Sequence, residues 1–150
     1  MKLTHQVVMA SAITFASVVA PRLASAAEHV IEMRNQDDAG NHMAFEPGFV
    51  KVEVGDTVKF VPADKGHNAQ SVPNIWPEGI PEVKGEFSRE VVFKAEKDGL
   101  YVFKCLPHYG MGMVALVQVG KPVNLDAVKK FVVTGSAKKR LDGELAQVTP

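Results

Sequence analysis

The stretch KCLPHYGMGM, residues 104–113, decides the architecture predicted for this chain of 150 residues. It contains the only cysteine, one of the five histidines and two of the six methionines. Cys105, His108 and Met113 follow one another in the pattern C-x2-H-x4-M. A thiolate, an imidazole and a thioether together select a soft or borderline metal, copper above all. The stretch therefore predicts a copper loop, which needs a second imidazole and a scaffold from the rest of the chain.

The segments on both sides of this loop have the pattern of β-strands. Residues 100–104 follow an Asp-Gly turn and run directly into the cysteine, and residues 113–119 are strongly apolar. Upstream segments are short, rich in β-branched and aromatic residues and separated by turn signals; they are 29–34, 50–54, 57–61 and 88–95. Short strands between turns indicate an all-β sandwich or barrel.

The apolar period becomes helical after Gly120, where the β pattern ends. Asn124 is a favourable N-cap for a helix over 125–133, and Ser136 can cap a second helix over 137–148. Each predicted helix has one apolar stripe, so we expect both helices to cover part of the β domain. A basic helix on a membrane surface is the weaker alternative, because acidic residues interrupt the charge of the second helix.

The amino terminus has the pattern of an export signal. Lys2 precedes an uncharged apolar run over 7–20, and small residues ending in Ala-Ser-Ala follow. This pattern is typical of a cleaved signal peptide of residues 1–26, with cleavage before or after Ala27. A membrane anchor is the alternative, but the run is shorter than the ~20 residues that span a bilayer. The remaining residues, 27–150, are predicted to form one domain.

The charge balance excludes some function classes. Loss of Lys2 and Arg22 with the signal peptide leaves 15 basic residues of the original 17, against 17 acidic ones, a net charge of −2. A nearly neutral chain is unlike a general nucleic-acid binder. A single cysteine forms no internal disulfide, and a lone thiol in an exported protein points to a buried inert residue or a metal ligand.

The second imidazole has three candidate sources, His29, His42 and His67. His67 lies in the sequence DKGHN, just past the predicted strand 57–61 and at the start of a long connection. Long loops in compact domains are often functional. His67 is therefore the preferred partner of the loop, although an isolated histidine of this kind is more often a surface residue.

Three stretches of the chain resemble the pseudoazurins, which are periplasmic type 1 (blue) copper proteins of the cupredoxin fold. They are GDTV at 55–58, DKGHN at 64–68 and KCLPHYGMGM at 104–113. The resemblance implies an all-β cupredoxin Greek-key sandwich with two short C-terminal helices. It also implies one copper per chain, with the ligands His67, Cys105, His108 and Met113.

The resemblance also assigns roles around the metal. Asn68 would serve the cysteine sulfur through its backbone and tie the ligand loops together through its side chain. The edge of His108 would be the electron exit, within an apolar patch of Met43, Pro107 and Met111. Methionines at such positions are, in general, more often core residues.

Lysines around that patch would steer acidic redox partners; the matching residues are Lys65, Lys84 and Lys104. Four residues depart from the family pattern by adding negative charge or lacking a lysine: Gln36, Asp37, Asp38 and Glu86. These departures leave the expected ligands intact and bear on the choice of partner.

The implied function is that of a monomeric electron carrier in the periplasm, and not of an enzyme. The implied partners are redox proteins such as nitrite reductase, c-type cytochromes or cytochrome peroxidase; nucleic-acid binding and membrane insertion are not expected. A plastocyanin-like carrier, a copper chaperone or store, and an enzyme with a Cys105–His108 nucleophile and base are the alternatives. Plastocyanin shares C-x2-H-x4-M but lacks the terminal helices.

Overall fold

Eight strands form in the described part of the chain, which is residues 25–150 of a computed structural model. They pair as two four-stranded sheets, β2-β1-β4-β6 and β3-β8-β7-β5. The strands are β1 (Glu28–Gln36), β2 (His42–Glu46), β3 (Phe49–Val52), β4 (Thr57–Pro62), β5 (Gln70–Ser71), β6 (Val91–Lys94), β7 (Gly99–Lys104) and β8 (Val114–Val119). The pairs β1–β4 and β3–β8 are parallel, and the other pairs are antiparallel. The predicted all-β Greek-key sandwich is confirmed.

Strand β7 is buried on both faces, which explains its continuous apolar sequence. Tyr101, Phe103 and Cys105 lie in the core between the two sheets. Leu100 and Val102 lie in a second core, under the C-terminal helices. Successive side chains of a strand point to opposite faces. The alternation along β7 therefore directs Cys105 into the sandwich interior.

The connection over residues 62–85 is more ordered than its irregular sequence indicated. It contributes the short strand β5 to the second sheet. The Trp76 ring packs edge-on against Tyr101 and Phe103, with ring centroids 4.9 and 5.2 Å apart. The long loop is thus part of the core as well as the source of His67.

Two predicted strand ends were wrong for local reasons. The strand predicted over 50–54 ends at Val52, because Glu53 begins a turn in which its N–H donates to the Asp56 carboxylate at 3.0 Å. The strand predicted from residue 88 begins at Val91. Ser88 has a positive φ of 57°, and its Oγ accepts a hydrogen bond from the Gly66 N–H.

The two C-terminal helices exist, but both are shorter than predicted: α1 spans Leu125–Lys130 and α2 spans Gly135–Leu145. Neither predicted cap functions as one. Asn124 precedes α1, but its side chain accepts the Leu100 N–H and donates to the Ile75 carbonyl. Asn124 therefore joins the helix to the sheet. Ser136 lies inside α2, which Thr134 precedes without a side-chain cap.

The predicted signal peptide falls on residues that lie almost entirely outside the described range. Within residues 25–150, no helix combines the length and the apolar character needed to cross a membrane.

Candidate metal centre

Three donor atoms converge at one end of the sandwich. The Nδ1 atoms of His67 and His108 are 3.0 Å apart. The Cys105 Sγ lies 3.8 Å from the first and 3.5 Å from the second. A point equidistant from the three atoms is about 2 Å from each, the length of a first-row metal–nitrogen bond. Among residues 25–150 this is the cluster of histidine, cysteine and acidic side chains that could hold a metal.

The loop after β7 closes on itself and thereby positions its donors. The Cys105 N–H donates to the Met113 carbonyl at 3.0 Å, and the Met113 N–H donates to the His108 carbonyl at 3.1 Å. A short 3-10 turn, Tyr109–Met111, forms the tip. These bonds bring the backbone of Met113 beside Cys105. Met113 is fully buried in the same core as Cys105.

His67 and Cys105 are fully buried, and burial changes the pKa of both side chains. Burial, aided by the nearby His108, lowers the pKa of His67 and keeps its imidazole neutral, as metal ligation requires. Burial raises the pKa of the Cys105 thiol, and backbone N–H groups of Asn68 and His108 partly oppose this shift. A bound cation would replace the thiol proton, since the thiolate is the ligand form.

Asn35 is a residue of the centre that the sequence analysis missed. Its Oδ1 lies 3.0 Å from the His67 Nε2, on the side of the ring opposite the donor atom. Its N–H donates to the Asp64 carboxylate at 2.7 Å, so the end of β1 is joined to the loop that carries His67. Such a partner orients a ligating imidazole and selects its tautomer. Nothing in the sequence distinguishes Asn35 from other polar residues at strand ends.

Asn68 joins the two ligand-bearing loops. Its Oδ1 accepts the Leu106 N–H at 2.8 Å, and its Nδ2 donates to the Gly85 carbonyl at 3.0 Å. Its own N–H is directed at the Cys105 sulfur. The role of Asn68 beside a bound metal stays a prediction.

The other two histidine candidates lie away from the donor atoms. His29 pairs with Val58 near the start of β4, whereas His67 follows the end of that strand. The His29 ring contacts the Asp56 carboxylate at 3.0 Å. The His42 side chain is exposed, and its carbonyl accepts a hydrogen bond from Arg140.

Two imidazoles, a buried thiol and a buried thioether form a donor set that fits copper. The chain matches the family model for copper-binding proteins of the plastocyanin/azurin family over residues 31–120. It is 43% identical over 145 residues to pseudoazurin from Paracoccus pantotrophus, covering 96% of this chain and 98% of that protein. It is 42% identical over 139 residues to pseudoazurin from Methylorubrum extorquens, covering 92% and 94%.

A crystal structure of native pseudoazurin from Hyphomicrobium denitrificans superposes with a TM-score of 0.80. The two are 72% identical, and the match covers 82% of this chain and 99% of the other. The chain belongs to the pseudoazurin family. The fold, the family and the donor cluster together support a type 1 copper electron carrier with one copper. The terminal helices distinguish it from the plastocyanin-like alternative.

The three residues predicted to form an apolar patch differ in their exposure. Met111 is half-exposed and Pro107 is exposed, whereas Met43 is partly buried and packs against the main core. Leu106, which the sequence analysis did not select, is 52% exposed beside Pro107. Leu106 would add apolar surface to the predicted patch, and Met43 also contributes to the packing of the core.

The three lysines predicted for docking have different surroundings. The Lys104 ammonium lies 5.3 Å from the centre of the Tyr109 ring, so Lys104 is directed towards the loop. Lys84 is highly exposed and lies 3.9 Å from the Glu82 carboxylate. Lys65 is exposed. Among the departures from the family pattern, Asp38 pairs with Arg34 at 2.8 Å, which offsets part of its charge.

Proposed function

We propose that His67, Cys105, His108 and Met113 hold the copper, and that this protein carries electrons between periplasmic redox proteins. The convergence of three donor atoms about 2 Å from a common point is the observation that supports this proposal most directly. Bound copper supplies a one-electron Cu(II)/Cu(I) couple.

The protein supplies a rigid set of ligands, most of which are shielded from water. His67, Cys105 and Met113 are fully buried, and the loop is closed by backbone hydrogen bonds. Packed interiors resist rearrangement. The donors therefore keep nearly the same positions in both oxidation states, which suits repeated electron transfer. The Met113 thioether would be a weak ligand that tunes the reduction potential.

His108 is the proposed path for the electron. It is the partly exposed member of the proposed ligand set, and the exposed Pro107 and Met111 flank it. A partner pressed against this patch would meet the ring edge. The specific partner, such as nitrite reductase, a c-type cytochrome or cytochrome peroxidase, is part of the proposal.

The burial of Cys105 weighs against the alternatives. Its side chain has no exposed surface, so a substrate carbon has no approach to the sulfur for nucleophilic catalysis. Transfer of metal from a chaperone also needs access to the ligands. We therefore propose that the protein is not an enzyme.

We propose that cleavage of the export signal produces the mature domain. Removal of residues 1–26 would leave Ala27 as the first residue of a periplasmic domain. The Ala27 nitrogen lies 2.8 Å from the Asp56 carboxylate, so its new ammonium group would have a counter-ion. This proposal includes the domain boundaries 1–26 and 27–150.

Addition of Cu(II) to the metal-free protein tests the proposed function. We expect one equivalent to produce intense visible absorption. Reduction by ascorbate should remove the absorption, and reoxidation by an oxidised c-type cytochrome should restore it. A colourless mixture, or colour that does not cycle with oxidation state, would refute the electron-carrier proposal. Stoichiometry is read from the titration end point.

Substitution of Lys104 by glutamate should slow electron exchange with an acidic c-type cytochrome by about five- to tenfold at low ionic strength. The reversed charge would lie next to the loop and repel the partner. The gap should close as salt rises, because the Debye length falls to about 8 Å at 0.15 M. Stopped-flow kinetics over a range of ionic strengths measures the difference in rate between the variant and the native protein.

Two controls separate docking from structure. Lys104→Gln removes the cation without adding an anion and should show a smaller effect. Lys121→Glu makes the same reversal after β8, at the end of the sheet opposite Cys105, and should leave the rate nearly unchanged. Equal rates for Lys104→Glu and the native protein would remove Lys104 from the docking surface.

A further inference from the structure

Arg140, on the second C-terminal helix, binds three backbone carbonyls of two separate segments, the start of β2 and the loop after β7. Its Nη1 donates to the Gly112 carbonyl at 3.0 Å and to the Met43 carbonyl. Its Nη2 donates to the His42 carbonyl at 2.6 Å. A guanidinium is a planar group with several donors in fixed directions, so these bonds constrain both segments to one geometry.

The arginine makes these bonds although carboxylates are close by. Asp37 and Glu144 both experience its positive charge. Within residues 25–150, however, Arg140 forms no ion pair with either group. Arginine ordinarily prefers bidentate contacts with carboxylates. Its orientation towards carbonyls instead indicates that its donors hold the backbone.

Both segments bound by Arg140 belong to the proposed electron-transfer region. Gly112 directly precedes Met113 and has a left-handed φ of 100°. Met43 also has a positive φ, 52°, which is uncommon for a residue with a side chain. Such a conformation persists when its surroundings determine it. The bonds from Arg140 to the His42 and Met43 carbonyls contribute to that constraint, together with the pairing of β2 with β1.

The same helix leaves little space for the loop to shift. A Cβ atom placed on Gly112 would lie 3.0 Å from the Ser136 Cβ and 3.2 Å from the Arg140 Nε. The helix therefore meets the glycine backbone directly. Movement of the loop towards α2 is blocked by packing, and movement away from α2 would break the bond from Arg140.

We propose that Arg140 is a positioning residue that sets the place of Met113 beside the metal and of Met43 in the apolar patch. The inference rests on the proposed copper site. It means that α2, which contributes no ligand, would control the position of the Met113 donor and the contact surface together. The bonds from Arg140 add to the backbone hydrogen bonds that close the loop on itself.

Three variants test the proposal: Arg140→Gln, Arg140→Lys and the control Lys139→Gln. The lysine variant keeps the positive charge but lacks the planar guanidinium with its several donors. The control removes one charge from an exposed neighbour on the same helix. In the copper-free proteins, amide hydrogen exchange at Gly112 and Met113 reports loop order. In the copper-loaded proteins, the ratio of the visible absorption bands and the rate of copper loss to a chelator report how the ligand set holds the metal.

In both Arg140 variants the Gly112 and Met113 amides should exchange faster, and the ratio of the absorption bands should change. Both variants should also lose copper about tenfold faster, which is the usual effect of removing a group that orients a metal ligand. Lys139→Gln should match the native protein. An unchanged band ratio with uniformly faster exchange would assign Arg140 a general stabilising role and overturn the proposal. So would a lysine variant that behaves as native, because charge alone would then suffice. If the native protein takes up no copper, the proposed function fails, while the exchange data still decide whether Arg140 orders the loop.

Discussion

Replacement of Cys105 by serine should abolish the intense visible absorption of the copper-loaded protein and leave the sandwich folded. The absorption depends on a covalent copper–thiolate bond, and a serine hydroxyl keeps its proton and binds copper weakly. The side chains differ little in volume, so the fully buried position should tolerate the change at a cost of about 2 kcal/mol for the buried hydroxyl. Visible spectroscopy and far-UV circular dichroism measure the two effects.

Met111→Leu is the matched control, because it removes a sulfur atom from the same loop at a half-exposed position outside the proposed ligand set. It should keep the absorption. Retention of full colour in Cys105→Ser would show that the sulfur is not a ligand. Loss of colour in Met111→Leu would show that the spectrum responds to any change in the loop.

The second large effect concerns Glu144 on α2. Burial raises the pKa of Glu144 to about 7; Glu46 adds to the increase, and Arg140 opposes it. The carboxyl lines a cavity of about 300 Å³ together with Asp37, Glu46 and Arg140. The folded protein therefore holds a proton that the unfolded chain releases near its ordinary pKa of 4.5. The free energy of unfolding should fall as pH rises from about 4.5 to 7, and level off above.

Glu144→Gln should abolish this fall in the free energy of unfolding between pH 4.5 and 7, because glutamine does not titrate. The variant should match the native protein near pH 4.5 and exceed its free energy of unfolding by about 2 kcal/mol at pH 8, a value reduced for the partial exposure of the group. Urea unfolding of the copper-free proteins between pH 4.5 and 8 measures the difference. The exposed Glu78→Gln should give a curve parallel to that of the native protein. A parallel curve for Glu144→Gln would show that the carboxyl titrates normally.

Much of the architecture was predictable because local patterns carried it. The turn after Asp98, the apolar segments on both sides of the loop and the change of period after Gly120 placed most of the elements. The helix ends were not predictable in the same way. Asn124 has the sequence of a cap, but tertiary contacts with Leu100 and Ile75 use its side chain instead.

The sequence by itself determined the chemistry of the donors, since a thiol, a thioether and an imidazole in one loop restrict the metal whatever the fold. It also indicated His67 and Asn68 through a resemblance that extends along the chain. Only the tertiary structure decided what holds these donors in place. Asn35 lies 32 residues before His67, and Arg140 lies 28 residues after Gly112 and 97 after Met43. The orientation of a ligand depends on groups that are distant in the sequence and that packing brings together. The order of residue types does not show directly which distant residues will be in contact.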